Sequence, residues 1–124
     1  MTANPRPDGR TAAYIASGAG KNGLWVRALD GGTARLISGT ERAAYPFWSP
    51  DSRSIGFFAD RKLKRIDLSG GSPLVLAAAT NGRGGTWSRD GIILFAGNTV
   101  DGLASIPATG GPVTPVARVG AGAP

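Results

Sequence analysis

The 124 residues carry 14 Lys+Arg against 8 Asp+Glu, a formal net charge of +6, and include 20 Gly and 9 Pro. That glycine and proline density argues against a mainly helical fold, while 41% hydrophobic residues and three tryptophans supply a core and argue against a disordered chain. Cysteine and histidine are both absent, which removes Cys/His zinc centres, disulfides, thiol nucleophiles and any imidazole-based triad.

The first expected strand, Thr11 to Ala16, follows Arg6-Pro7-Asp8-Gly9-Arg10. A Gly-rich loop, Ser17 to Gly23, then leads into Leu24 to Leu29, and Ala34 to Ser38 completes the unit. The opening strand of this first unit is expected to be missing or very short. The second unit reads as four strands: Ala44 to Ser49, Ser54 to Ala59, Lys62 to Leu68 and Pro73 to Ala78. The third offers Arg83 to Ser88, Ile92 to Ala96, Leu103 to Ile106 and Val113 to Ala117. The runs that follow the aspartate turns, Thr11 to Ala16, Ser54 to Ala59 and Ile93 to Ala96, are short, rich in aromatic or β-branched residues and bounded by turn formers. The longest apolar stretches are a few residues, such as Ile92 to Ala96, far below the roughly 20 needed to span a bilayer as a helix. Met1 to Asp8 has no apolar stretch of secretory type, so export would depend on a signal outside this sequence.

Two landmarks repeat in phase. Asp8, Asp51 and Asp90 begin equivalent turns at spacings of 43 and 39 residues. Gly31-Gly32, Gly70-Gly71 and Gly110-Gly111 each start seven residues after a leucine, Leu24, Leu63 and Leu103. A period of about 40 is that of a four-stranded propeller blade; the extra Gly-rich residues before Leu24 account for the longer first interval. The fold expected is all-β, an incomplete β-propeller of nearly three four-stranded antiparallel blades. As one partial domain it divides into blade 1 at about 5–42, lacking its first strand, blade 2 at about 43–81, blade 3 at about 82–119, and a tail, 120–124.

Phe47-Trp48-Ser49-Pro50-Asp51-Ser52-Arg53-Ser54-Ile55-Gly56-Phe57-Phe58-Ala59, with Ile66-Asp67-Leu68-Ser69-Gly70-Gly71, resembles the WD-like repeats of TolB-type β-propellers. Around Tyr45 to Phe58 and Asn81 to Trp87 the chain looks most like propeller segments that follow the kinase domain of bacterial serine/threonine protein kinases. Related repeats form the gating propellers of prolyl-oligopeptidase-like peptidases. The resemblance implies a scaffold that binds rather than reacts, and a periplasmic or extracytoplasmic setting. Propellers have 4 to 8 blades, so nearly three leave open strand edges for further blades of a parent chain or for copies of this one, a homotrimer included.

The turn chemistry gives each candidate residue a role. Asp8, Asp51 and Asp90 are expected to accept hydrogen bonds from nearby amides; one blade apart, they cannot converge on an ion. Glycine after Asp8 and Asp90 tolerates a positive φ, which Ser52 after Asp51 does not, so strain is expected at Ser52. Trp48 and Trp87, ending the innermost strands, are read as inter-blade packing residues, and Trp25 as peripheral. Gly18-Ala19-Gly20-Lys21-Asn22-Gly23 fits G-x-G-x-x-G but leads into a strand, which argues for a hairpin tip and against a phosphate loop. Arg61-Lys62-Leu63-Lys64-Arg65 reads as a solvated strand face. Serine hydrolase chemistry lacks both G-x-S-x-G and histidine.

No catalytic, cofactor or metal residue is expected. Tyr45 and Arg83 are the candidate ligand contacts at the central channel, with Phe47 assigned to core packing. The partner expected is a protein, a peptide or a small ligand. The basic cluster is not interleaved with aromatics, which disfavours nucleic acid.

Overall fold

The computed structural model describes residues 3–5, 11–18, 21–28, 34–80, 82–96 and 103–116. Its hairpins begin at the repeated turns. In the second repeat the Ser52 amide donates to the Ser49 carbonyl at 3.0 Å, and the Ser49 amide to the Ser54 carbonyl at 2.9 Å. In the third, Gly91 donates to the Ser88 carbonyl at 3.1 Å and Ser88 to the Ile92 carbonyl at 2.8 Å. The same closure is thus reached with one residue fewer and with Arg89 in place of proline, as a type I turn permits.

Ser52 lies at φ 65° and Gly91 at φ 80°. The left-handed region costs an L residue roughly 1–2 kcal/mol, so the strain anticipated at Ser52 is present. Ser52→Gly is expected to stabilise the chain by about 0.5–1 kcal/mol after allowing for the extra freedom glycine brings to the unfolded state. The reading is a higher urea midpoint at unchanged slope. A lower midpoint would show that the serine side chain holds the turn.

Three antiparallel sheets follow, each with its strands in chain order from the inside out. The first contains β1 (Ala3–Pro5), β2 (Thr11–Gly18), β3 (Lys21–Ala28) and β4 (Arg35–Leu36). The second contains β5 (Ala44–Trp48), β6 (Ser54–Ala59), β7 (Lys62–Asp67) and β8 (Leu74–Ala78). The third contains β9 (Gly84–Trp87), β10 (Ile92–Ala96), β11 (Leu103–Pro107) and β12 (Thr114–Val116). No helix occurs among the described residues.

The opening strand of the first unit, expected to be missing or very short, is very short: the three-residue β1 pairs with β2, Ala3 opposite Tyr14, so the unit has its first strand and starts at residue 3 rather than about 5. Pro5 and Pro7 donate no amide, and a strand next to them stays short. The Gly-rich residues, expected as a lengthened hairpin loop, do not form one. They extend both strands, with Ser17 opposite Asn22 and Gly18 opposite Lys21, leaving a two-residue connection. That hairpin lets backbone groups pair with each other across the ladder.

The innermost strands β1, β5 and β9 lie side by side, and the sheets stack behind them. β6 shows why the stack holds, since all six of its residues are buried and successive side chains point to opposite faces. Ile55, Phe57 and Ala59 join Ala13, Leu24, Val26, Trp48 and Ile66 in a core between the first and second sheets. Phe58 joins Leu63, Ile93, Phe95 and Ile106 in a second core between the second and third. Trp87 packs against this second core, half-buried. Phe47 sits in a slot made by two glycines: a Cβ on Gly56 or on Gly85 would meet its ring. β5 is thereby joined to β9 of the next sheet.

Candidate functional site

The start of β5 is irregular. Its register with β6 slips between Ala44 and Phe47, and Tyr45 in the slip takes φ 51°. The matching position on β9, counted back from Trp87 as Tyr45 is from Trp48, is Gly84, at φ 136°. A positive φ is therefore built into the beginning of this inner strand, and in the second sheet a bulky aromatic occupies it. Such strain costs of order 1–3 kcal/mol and collects at functional sites. Tyr45 is 54% exposed.

Phe58 is the seat of this feature. Tyr45 meets it edge-on at 6.5 Å between centroids, and Phe47 and Phe95 lie at 6.3 and 6.4 Å. Gly82 closes over the same ring so tightly that a Cβ there would overlap it. The next residue, Arg83, is exposed, and its amide is fixed to the Ala96 carbonyl at 3.0 Å. Tyr45 and the Gly82-Arg83 segment are therefore gathered around one buried ring at the same end of the inner strands. Phe47 is half-buried in its glycine slot and belongs to the packing.

The opposite end of β5 carries a polar cleft. Asp51 Oδ1 accepts from Ser49 Oγ at 2.5 Å and from the Arg53 amide at 3.0 Å, while Ser49 Oγ accepts from the Ser54 amide at 3.0 Å. The Ser49 hydroxyl, then the Arg53 amide, holds the Asp51 carboxyl below its ordinary range. Asp90 is exposed on the corresponding turn, and Asp8 lies outside the described residues. Among the described residues no three Asp or Glu side chains gather as a metal site.

Behind this turn, Asp67 Oδ1 accepts from Ser54 Oγ and from Arg65 Nη2, both at 2.6 Å; the Ser54 hydroxyl, then Arg65, lowers its pKa. Arg65 Nη1 donates across to the Ala108 carbonyl of the third sheet at 2.9 Å, and its guanidinium lies 5.0 Å from the Trp87 ring centroid. A cleft of about 600 Å³ opens beside Arg53, Arg65 and Asp67, and one of about 290 Å³ runs between the second and third sheets past Trp87 and Thr109.

The basic run is corrected here. Lys62 is exposed and Lys64 pairs with Asp60 at 3.1 Å, but Arg65 points inward and clasps two sheets. The signal was in the alternation: Arg65 shares the face of Leu63, two residues before it. Trp25, half-buried on β3, donates its indole N–H to the Ala16 carbonyl at 3.1 Å.

No protein-family model matches the chain. An uncharacterized peptidase, YuxL of Bacillus subtilis, is 33% identical over 63 residues, which span 45% of this chain and 10% of that protein. A TolB structure from Agrobacterium tumefaciens superposes with a TM-score of 0.79 at 22% identity, over 94% of this chain and 45% of that one. The β-propeller domain of the trilobed protease from Pyrococcus furiosus, described as having an open velcro topology, superposes with a TM-score of 0.66 at 22% identity. That match covers 96% of this chain and 44% of the domain. The chain therefore spans less than half the length of each. These likenesses and the three sheets show an incomplete β-propeller of TolB-like fold.

Proposed function

We propose that the chain is a non-catalytic binding or sensory module, which holds a peptide or small ligand at the inner-strand end marked by Tyr45 and Arg83. The observation that carries this reading is Tyr45, a large aromatic held exposed in a left-handed bulge where the next sheet uses glycine. Tyrosine and arginine are the side chains most often found as binding anchors. Arg83 adds charge-assisted donors suited to a carboxylate on the ligand.

The test is a displayed peptide library panned on the purified chain, with Tyr45→Gly and Arg83→Ala as variants. Tyr45→Gly removes the ring without forcing a new residue into a positive φ. Selected peptides are expected to lose at least about tenfold in affinity on each variant, or about 1.4 kcal/mol, with the melting transition retained. Binding indifferent to both substitutions would sink the assignment.

The parent of such a module has two readings. The first rests on the resemblance of its repeats to kinase-attached propellers: the sensory segment of a bacterial serine/threonine protein kinase. The peptidase relative and the likeness to a protease propeller support the second, a gating segment that filters access to a separate hydrolase domain. A full-length gene with G-x-S-x-G followed by Asp and His supports gating; one with the ordered kinase motifs upstream supports sensing.

A further inference from the structure

The third sheet presents a face that the first two bury. Leu24, Leu63 and Leu103 hold matching positions on the third strands, each seven residues before a Gly-Gly pair. Leu24 and Leu63 are fully buried, in cores shared with Phe57 and Phe95 of the following sheet. Leu103 is only half-buried, and on the same face Leu94 is half-buried and Ile92 is 38% exposed.

The other end of the stack offers the counterpart. Strand register places Tyr14 where Phe57 stands in the second sheet: Tyr14 faces Trp25, the residue after Leu24, as Phe57 faces Lys64, the residue after Leu63. Phe57 is fully buried against the preceding sheet, whereas Tyr14 is half-buried. Each end of the chain thus carries one half of a contact that the chain already makes twice internally.

We propose that two copies of the chain associate head to tail, the Leu103 face of each covering the Tyr14 face of the other, and close a six-sheet ring. The blade count selects two copies: three sheets are too few for a propeller, six fall within the 4 to 8 found, and nine exceed it. Length agrees, because one copy matches 44% of a propeller domain. The contact is heterologous and closes by two-fold rotation, so neither apolar face stays open. Arg27 stands where Ile66 and Ile106 stand in the other sheets, which makes the Tyr14 face more polar than the internal ones and the dimer reversible. In the ring, Tyr45 and Arg83 from both copies face one channel.

Light scattering of the purified 124-residue chain is expected to give about 25 kDa, twice 12.6 kDa, falling toward one copy on dilution. Leu103→Arg and Tyr14→Arg should each give a single-copy mass with the β circular dichroism spectrum retained. Mixing the two should restore a two-copy species, since one intact Leu103–Tyr14 contact can still form. Ile92→Arg, on the same face at a more exposed position, serves if Leu103→Arg does not fold. A single-copy or three-copy mass at all concentrations, a dimer indifferent to the substitutions, or a polydisperse aggregate overturns the proposal. A folded monomer would assign the face to a further repeat of a longer chain.

Discussion

Phe57→Ala is expected to cost the chain about 4 kcal/mol, within the range of 3–5 measured for phenylalanine truncation in cores. Phe57 is fully buried and faces the first sheet from the middle of β6, in one cluster with Ala13, Leu24 and Val26. Small domains are stable by only about 5–15 kcal/mol, so this loss should remove most of the folded population in mild denaturant. Trp48 lies in the same cluster and makes its fluorescence the natural reporter of urea unfolding. Phe57→Leu keeps most of the volume and should cost less than about 1.5 kcal/mol. The contrast separates a cavity effect from a general intolerance of substitution, and a loss below about 1 kcal/mol for alanine would mean that the first and second sheets do not depend on this ring. All variants are to be compared at one protein concentration, because association shifts apparent stability.

What the sequence made legible was the repeat. A turn with aspartate, an apolar run, a leucine and a glycine pair recur at one period, and each is a local signal, so the strands of the second and third sheets appear within one or two residues of their expected ends. The first sheet was harder to read. Its opening strand is three residues beside prolines, with no apolar alternation to announce it, and Ser17 to Gly23 is composed like a loop although Ser17 and Gly18 pair with Asn22 and Lys21 as a ladder. Composition reports what a segment prefers alone, whereas the ladder is decided by the partner strand. The site residues divide in the same way. The hydrogen bonds of Asp51 follow from turn chemistry and could be anticipated. The role of Arg65 depends on Ala108 and Trp87, 43 and 22 residues away in sequence, and only the stacking of sheets brings them within reach. The positive φ of Tyr45 is likewise invisible locally, since nothing about tyrosine favours it.

Gly56→Ala should be damaging for so small a substitution, with an expected loss of about 2–3 kcal/mol, the cost of forcing atoms into a filled core. A Cβ at Gly56 would overlap the Phe47 ring, and the ring has little room to yield: Gly85 also stands against it, where a Cβ would come to 3.0 Å, and Phe58 packs at 6.3 Å. Displacing Phe47 would press on the bulge at Tyr45, two residues earlier on β5, and on the junction with β9. One methyl group therefore reaches both the second core and the candidate binding residue. A double-mutant cycle isolates the mechanism. In a Phe47→Leu background the smaller side chain leaves space for the methyl, so Gly56→Ala should cost at least about 1 kcal/mol less there than in the original chain. Additive losses would instead place the effect in the backbone of β6, and the coupling between glycine slot, ring and bulge would have to be given up.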